Sequence, residues 1–99
     1  MSENTKKIIE AITPILEKAD VLRSDLFGSY ARGEENKDSD IDILVEFKGR
    51  KSLFDLVDLQ TELKDKLNRK VDVLTYRSIH PLLRDIIMKE HQVIYEKRQ

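Results

Sequence analysis

In this 99-residue chain the residues best suited to chemistry lie between Leu26 and Val45. They read Leu26-Phe27-Gly28-Ser29-Tyr30-Ala31-Arg32-Gly33, then a polar loop, then Ser39-Asp40-Ile41-Asp42-Ile43-Leu44-Val45. Gly28 lets the backbone turn tightly and approach a ligand. A short helix opening at Ser29 would aim unpaired amide hydrogens at an anion, for which phosphate is the natural guest. Ser29 offers a hydroxyl to a phosphate oxygen, and Arg32 offers charge in the first turn unless it faces the loop instead. Asp40 and Asp42 alternate on one strand face about 6 to 7 Å apart along the backbone, so both carboxylates can reach toward one hard cation. Magnesium, which combines carboxylate oxygens with substrate phosphates and water, suits such a pair. Asp72, inside the short β segment Val71-Asp72-Val73-Leu74, adds a third carboxylate to the same open face if its strand lies beside the second one.

Each feature alone has a plainer reading. A Gly-Ser after a strand is usually a turn, and an Asp-x-Asp is usually a solvated strand face. Their order and closeness make the combination a nucleotide–metal site. Other polar residues carry less. His80 and His91 fall at the start and end of a helical segment, where capping is the commoner use. Tyr30 could stack on a base or lie partly exposed on its short helix. Lys48-Gly49-Arg50-Lys51 reads as a solvated turn, and for Tyr76 and Arg77 the spacing does not decide whether they border the pocket.

The elements that must hold these residues follow from hydrophobic spacing. Ile8, Ile9, Ile12, Leu16 and Ala19 form one helical stripe, in which Pro14 predicts a kink or break near Ala11 to Thr13. Val21–Phe27 reads as a strand closed by Gly28, and residues 40–47 read as a second, with Ile41, Ile43, Val45 and Phe47 opposite Asp40 and Asp42. Ser52 and Asp55 open a helix over about 52–68 carrying Leu53, Leu56, Leu59, Leu63 and Leu67. A third strand at 71–74 precedes a last helix with Ile79, Leu82, Leu83, Ile86 and Ile87, and Val93-Ile94-Tyr95 completes the chain as a small edge strand. The leucine and isoleucine stripes read as core. If either proves exposed, it becomes the first candidate for a partner interface. The order helix, strand, strand, helix, strand, helix predicts an α/β (α+β) fold: a small mixed sheet with helices on one face.

Composition narrows the class. The 18 basic and 19 acidic residues give a net charge of -1, which disfavours direct nucleic-acid binding. Without cysteine there is no disulfide framework or thiolate zinc site, and 39% hydrophobic residues fit an ordinary globular domain. Residues 1–99 read as a single domain, because two cores would each have little to bury. No apolar stretch reaches the roughly 20 residues of a membrane span, and the polar N-terminus lacks a signal-peptide core, so a cytoplasmic location with no membrane partner is expected. Charged residues at 37%, against about 25% in average domains, are consistent with heat adaptation, which a melting temperature in the mesophile range would refute.

The run from Gly28 to Val45 resembles the signature of the nucleotidyltransferase superfamily that includes DNA polymerase beta. Gly28-Ser29, Ala31-Arg32-Gly33, Ser39-Asp40 and Asp42 fall in the family's order and spacing, and the chain length is similar to that of the minimal nucleotidyltransferases, which consist of the catalytic core alone. The resemblance implies the polymerase beta-like core. It makes Asp40, Asp42 and Asp72 the catalytic carboxylates and the ligands of two magnesium ions. Gly28, Ser29, Arg32 and Ser39 become the nucleotide-binding residues, with ATP as substrate. Larger relatives hold the acceptor with an additional domain, so something else is expected to present it here. Minimal members in prokaryotes resemble antitoxins paired with small helical HEPN-type RNase toxins, and the implied reaction moves AMP from ATP onto a tyrosine of the toxin within a hetero-oligomer. Two alternatives stay open: a module that masks the toxin without catalysis, and nucleotidyl transfer to a small molecule such as an aminoglycoside held by a separate subunit.

Overall fold

The computed structural model describes residues 2–97. Ser2 opens the first helix, α1 (Glu3–Lys18), by accepting the Thr5 amide hydrogen at 3.1 Å, and Thr5, Ile8, Ile12 and Leu16 form its buried stripe. Of the kink or break expected at Pro14, no break occurs: the helix runs through it. Pro14 and Glu10, the residue whose carbonyl it leaves without a partner, are both solvent-exposed, so water can satisfy that group.

The remaining elements are β1 (Val21–Phe27), α2 (Ser29–Arg32), β2 (Ile41–Phe47), α3 (Leu53–Leu67), β3 (Val71–Thr75), a 3-10 turn (Tyr76–Ser78), α4 (Pro81–Glu90) and β4 (Gln92–Glu96). The strands form one sheet in the order β3-β2-β1-β4, with β1 antiparallel to both neighbours and β2 parallel to β3. This is the small mixed sheet with packed helices that the order of elements predicts. Among the described residues no helix is long and apolar enough to cross a membrane.

Parallel β2 and β3 need a crossover, and α3 supplies it. Ser52 and Asp55 cap α3 reciprocally: the Ser52 amide donates to Asp55 Oδ2 at 2.8 Å, and the Asp55 amide donates to Ser52 Oγ. Leu59 and Leu63 of α3 join Ile12 and Leu16 of α1 over Leu26, Ile43, Val45 and Val73, so one face of the sheet is the core. Gln60 Oε1 accepts the Val73 amide hydrogen at 2.9 Å, occupying a group that edge strand β3 would otherwise leave open.

The last helix departs from expectation. His80 caps α4 as the sequence indicated, its Nδ1 accepting the Leu82 amide hydrogen at 3.1 Å. Yet α4 buries none of its residues, and Leu82, Leu83 and Ile86, read from their spacing as core, are exposed at 78%, 52% and 55%. A helical period identifies an apolar stripe but not what covers it. The core is closed by α1 and α3, while the turn and α4 leave β3 on a separate course to β4.

Candidate active site

The antiparallel hairpin of β1 and β2 folds the whole 28–40 segment back on itself, so the phosphate-type turn and the acid pair meet at one end of the sheet. Gly28 caps α2 with φ +73°, a left-handed conformation that glycine adopts without strain. A Cβ at this position would collide with Asp42 Oδ2, so the missing side chain is what lets the strand acid lie against the turn. Ser29 follows at once as the first residue of α2.

The ladders place the acids. Phe27 is opposite Asp42, and Asp42 is opposite Asp72, forming one row across β1, β2 and β3 on the face away from the core. Asp40 precedes β2, and its Oδ2 lies 3.5 Å from Lys70 Nζ just before β3. Burial, then the charges of Asp72 and Asp40, push the Asp42 carboxyl up from 3.8 to about 6, with Lys70 and Arg32 pulling the other way. The structure therefore brings Asp40, Asp42 and Asp72 into one electrostatic cluster beside Gly28. Among the described residues no group of three or more His, Cys, Asp or Glu side chains is placed so that together they could hold a metal ion. Like charges repel without a cation, and Lys70 offers Asp40 a counter-charge.

Two predicted nucleotide contacts have partners of their own. Arg32 Nε donates to Glu34 Oε2 and Arg32 Nη1 to Glu90 Oε2, both at 3.0 Å, and these carboxylates raise its pKa further. Ser39 Oγ accepts the Asn36 amide hydrogen at 2.9 Å and so builds its own loop. Tyr30, left open between base stacking and exposure, is 3% exposed, with its ring packed in the core cluster.

Sequence reasoning missed a polar group on the same sheet face. Asp25, in the next row opposite Leu44, is fully buried; Arg23 Nε lies 3.4 Å from its Oδ1 and His91 Nδ1 lies 3.0 Å from its Oδ2. The Arg23 guanidinium also stands 6.0 Å from the centre of the Tyr76 ring. Burial and the Asp25 charge raise the Tyr76 pKa, in keeping with its place beside this group. The prior signal was the polar run Arg23-Ser24-Asp25 in the middle of a strand.

A family described as "Polymerase beta, Nucleotidyltransferase" matches residues 10–99. A Methanocaldococcus jannaschii protein assigned as a protein adenylyltransferase is 58% identical over 87 residues, covering 88% of this chain and 94% of its own. A solved structure assigned as a minimal nucleotidyltransferase superimposes with a TM-score of 0.78 at 33% identity, covering 91% of this chain and 92% of that one. The fold also recurs, with a TM-score of 0.74, 21% identity and coverage of 94% and 73%, in a complex of a tri-AMPylated Shewanella oneidensis HEPN toxin with an MNT antitoxin.

Proposed function

Because the chain belongs to the polymerase beta-type nucleotidyltransferase family, we propose that it transfers AMP from ATP to a tyrosine hydroxyl of a small HEPN-type toxin and thereby acts as its antitoxin. The observation that carries this reading is the close approach of the Gly28 turn to Asp42, which in turn lies opposite Asp72, so that the turn and the acids sit together.

In this reading Gly28 and Ser29 cradle the triphosphate, and Arg32 exchanges a carboxylate partner for a phosphate oxygen. Asp40, Asp42 and Asp72 fit magnesium by donor chemistry: hard oxygens, with burial and the neighbouring acids making Asp42 hold its proton more tightly than an isolated carboxyl. When bound, magnesium supplies the positive charge that lowers the cost of an acceptor alkoxide and of the departing pyrophosphate. The acceptor oxygen attacks the α-phosphorus in line, the bond to the β-phosphate oxygen breaks, and Asp72 takes the hydroxyl proton. The exposed Leu82, Leu83 and Ile86 of α4 form the surface where the toxin is expected to dock. The setting is cytoplasmic.

The test incubates the protein with magnesium, ATP labelled at the α-phosphate, and either the HEPN-type neighbour or small hydroxylated compounds. Label on a toxin tyrosine, lost with Asp40→Asn and Asp42→Asn, supports the proposal. Label on a small molecule favours the third reading. Full neutralisation by the double variant at substoichiometric amounts shows that transfer is not the mechanism.

A further inference from the structure

Arg69 stands between α3 and β3, 30 or more residues from the loop it touches, and the contacts of its guanidinium converge on the two halves of the Gly28–Asp42 segment. Its Nη2 reaches the backbone carbonyls of Asn36, Lys37 and Ser39 at 3.3, 2.5 and 3.2 Å, so its hydrogens are shared among three acceptors. Its Nη1 donates to the Tyr30 hydroxyl, and the guanidinium carbon lies 5.5 Å from the centre of the Tyr30 ring. Tyr30 is anchored in the core and belongs to α2, directly after Ser29. The carbonyls belong to the loop that ends at Ser39, one residue before Asp40.

We propose that Arg69 is a positioning residue for nucleotidyl transfer, its guanidinium clamping the 36–39 loop to Tyr30 so that Asp40 and Asp42 are held in register with the Gly28–Ser29 turn. The 36–39 loop is polar, exposed at Asn36, Lys37 and Asp38 and half-buried at Ser39, and beyond the backbone bond from the Glu34 amide to the Ser29 carbonyl just before it, its own bonds are short-range: the Asp38 amide donates to Asn36 Oδ1 at 2.8 Å, and the Asn36 amide donates to Ser39 Oγ. Those bonds shape the turn without setting its distance from α2. Arg69 spans that distance, and its planar fork reaches several acceptors at once where a lysine ammonium would reach fewer. Lys70, the next residue, pairs with Asp40. The start of β3 thus fixes the approach to the acid pair from two directions, while Asp72 joins the row two residues later.

The inference rests on the transfer reading for its catalytic consequence, but the clamp can be measured without it. Arg69→Ala, Arg69→Lys, Tyr30→Phe and a core control, Ile12→Val, are compared at a temperature where all remain folded. Amide exchange across 34–40 and cleavage by trypsin at Lys37 report the loop. Single-turnover AMP transfer and nucleotide binding in the presence of manganese report the site. Arg69→Ala should speed exchange in 34–40 at least about 10-fold, leave β1 and β4 unchanged, and lower kcat about 10- to 100-fold with a much smaller change in the KM for ATP, the scale expected when reacting groups shift by an ångström. Arg69→Lys should recover part of the loss, Tyr30→Phe should lose less than Arg69→Ala, and Ile12→Val should change neither readout beyond its effect on melting. Wild-type loop exchange or wild-type kcat in folded Arg69→Ala overturns the proposal. So does a loss matched by Ile12→Val at equal distance from the melting temperature. If the wild type itself transfers no AMP, the functional reading fails, and the clamp is judged on loop exchange and manganese–nucleotide affinity.

Discussion

Asp42 and Asp72 occupy directly opposed positions in the parallel β2–β3 ladder, on the sheet face that the core does not use. Opposed like charges on neighbouring strands destabilise a sheet. Burial first, and then the charges of Asp72 and Asp40, make the Asp42 carboxyl hold its proton to about 6. Its folded-state pKa lies above the unfolded 3.8, so the stabilisation it gives when protonated is complete below 3.8 and is lost as pH rises through about 6. The melting temperature of the free wild type, measured relative to Asp42→Asn, should therefore rise as pH falls from 7 to 4. Magnesium–ATP affinity should fall over the same interval, because the ion must displace the proton. Parallel pH curves for the two proteins would contradict this origin of the shift.

At pH 7 Asp42→Asn removes the repulsion without changing shape, so the free variant should melt higher than wild type. It should also lose its response to magnesium with nucleotide and at least about 100-fold in transfer rate, a scale reached even when supporting groups of a metal site are removed. Differential scanning calorimetry and single-turnover labelling separate the two effects.

Gly28→Ala meets two obstacles, a left-handed φ of +73° and the Asp42 carboxylate where the methyl must go. A non-glycine residue held in such a conformation costs about 1–3 kcal/mol. The variant should show that loss in urea denaturation together with loss of nucleotide binding.

Paired charges on α4, Leu82→Glu with Ile86→Glu, should leave the stability of the free protein within about 0.5 kcal/mol, since exposed positions tolerate substitution. They should leave nucleotide binding intact and abolish co-purification with the proposed HEPN-type partner. Ile12→Ala, by contrast, empties a fully buried site and should cost about 2–5 kcal/mol.

Local chemistry explains which features could be read from the residues alone. A run of β formers closed by Gly28 marks β1, alternation marks β2, the Ser52–Asp55 capping box marks the start of α3, and Gly28-Ser29 with Asp-x-Asp marks the site, because each signal lies within a few neighbouring residues. The register of Asp72 against Asp42 was conditional on strand order, which no local pattern contains. Arg69, the Asp25–His91 contact and the Arg32–Glu90 bridge join residues 30 to 66 positions apart, and their roles exist only once the chain has folded. Pro14 does not break α1, because Glu10, whose carbonyl it leaves without a partner, is a solvent-exposed residue.

The sheet gives its acids different histories during refolding. Asp40 and Asp42 arrive with a hairpin whose strands are near in sequence, a contact that forms early and at low entropic cost. Asp72 arrives with a parallel strand that must wait for the α3 crossover to dock. Competence for nucleotide should consequently trail the far-ultraviolet signal in a stopped-flow experiment, and a newly made chain would acquire its helices and first hairpin before it could handle a triphosphate.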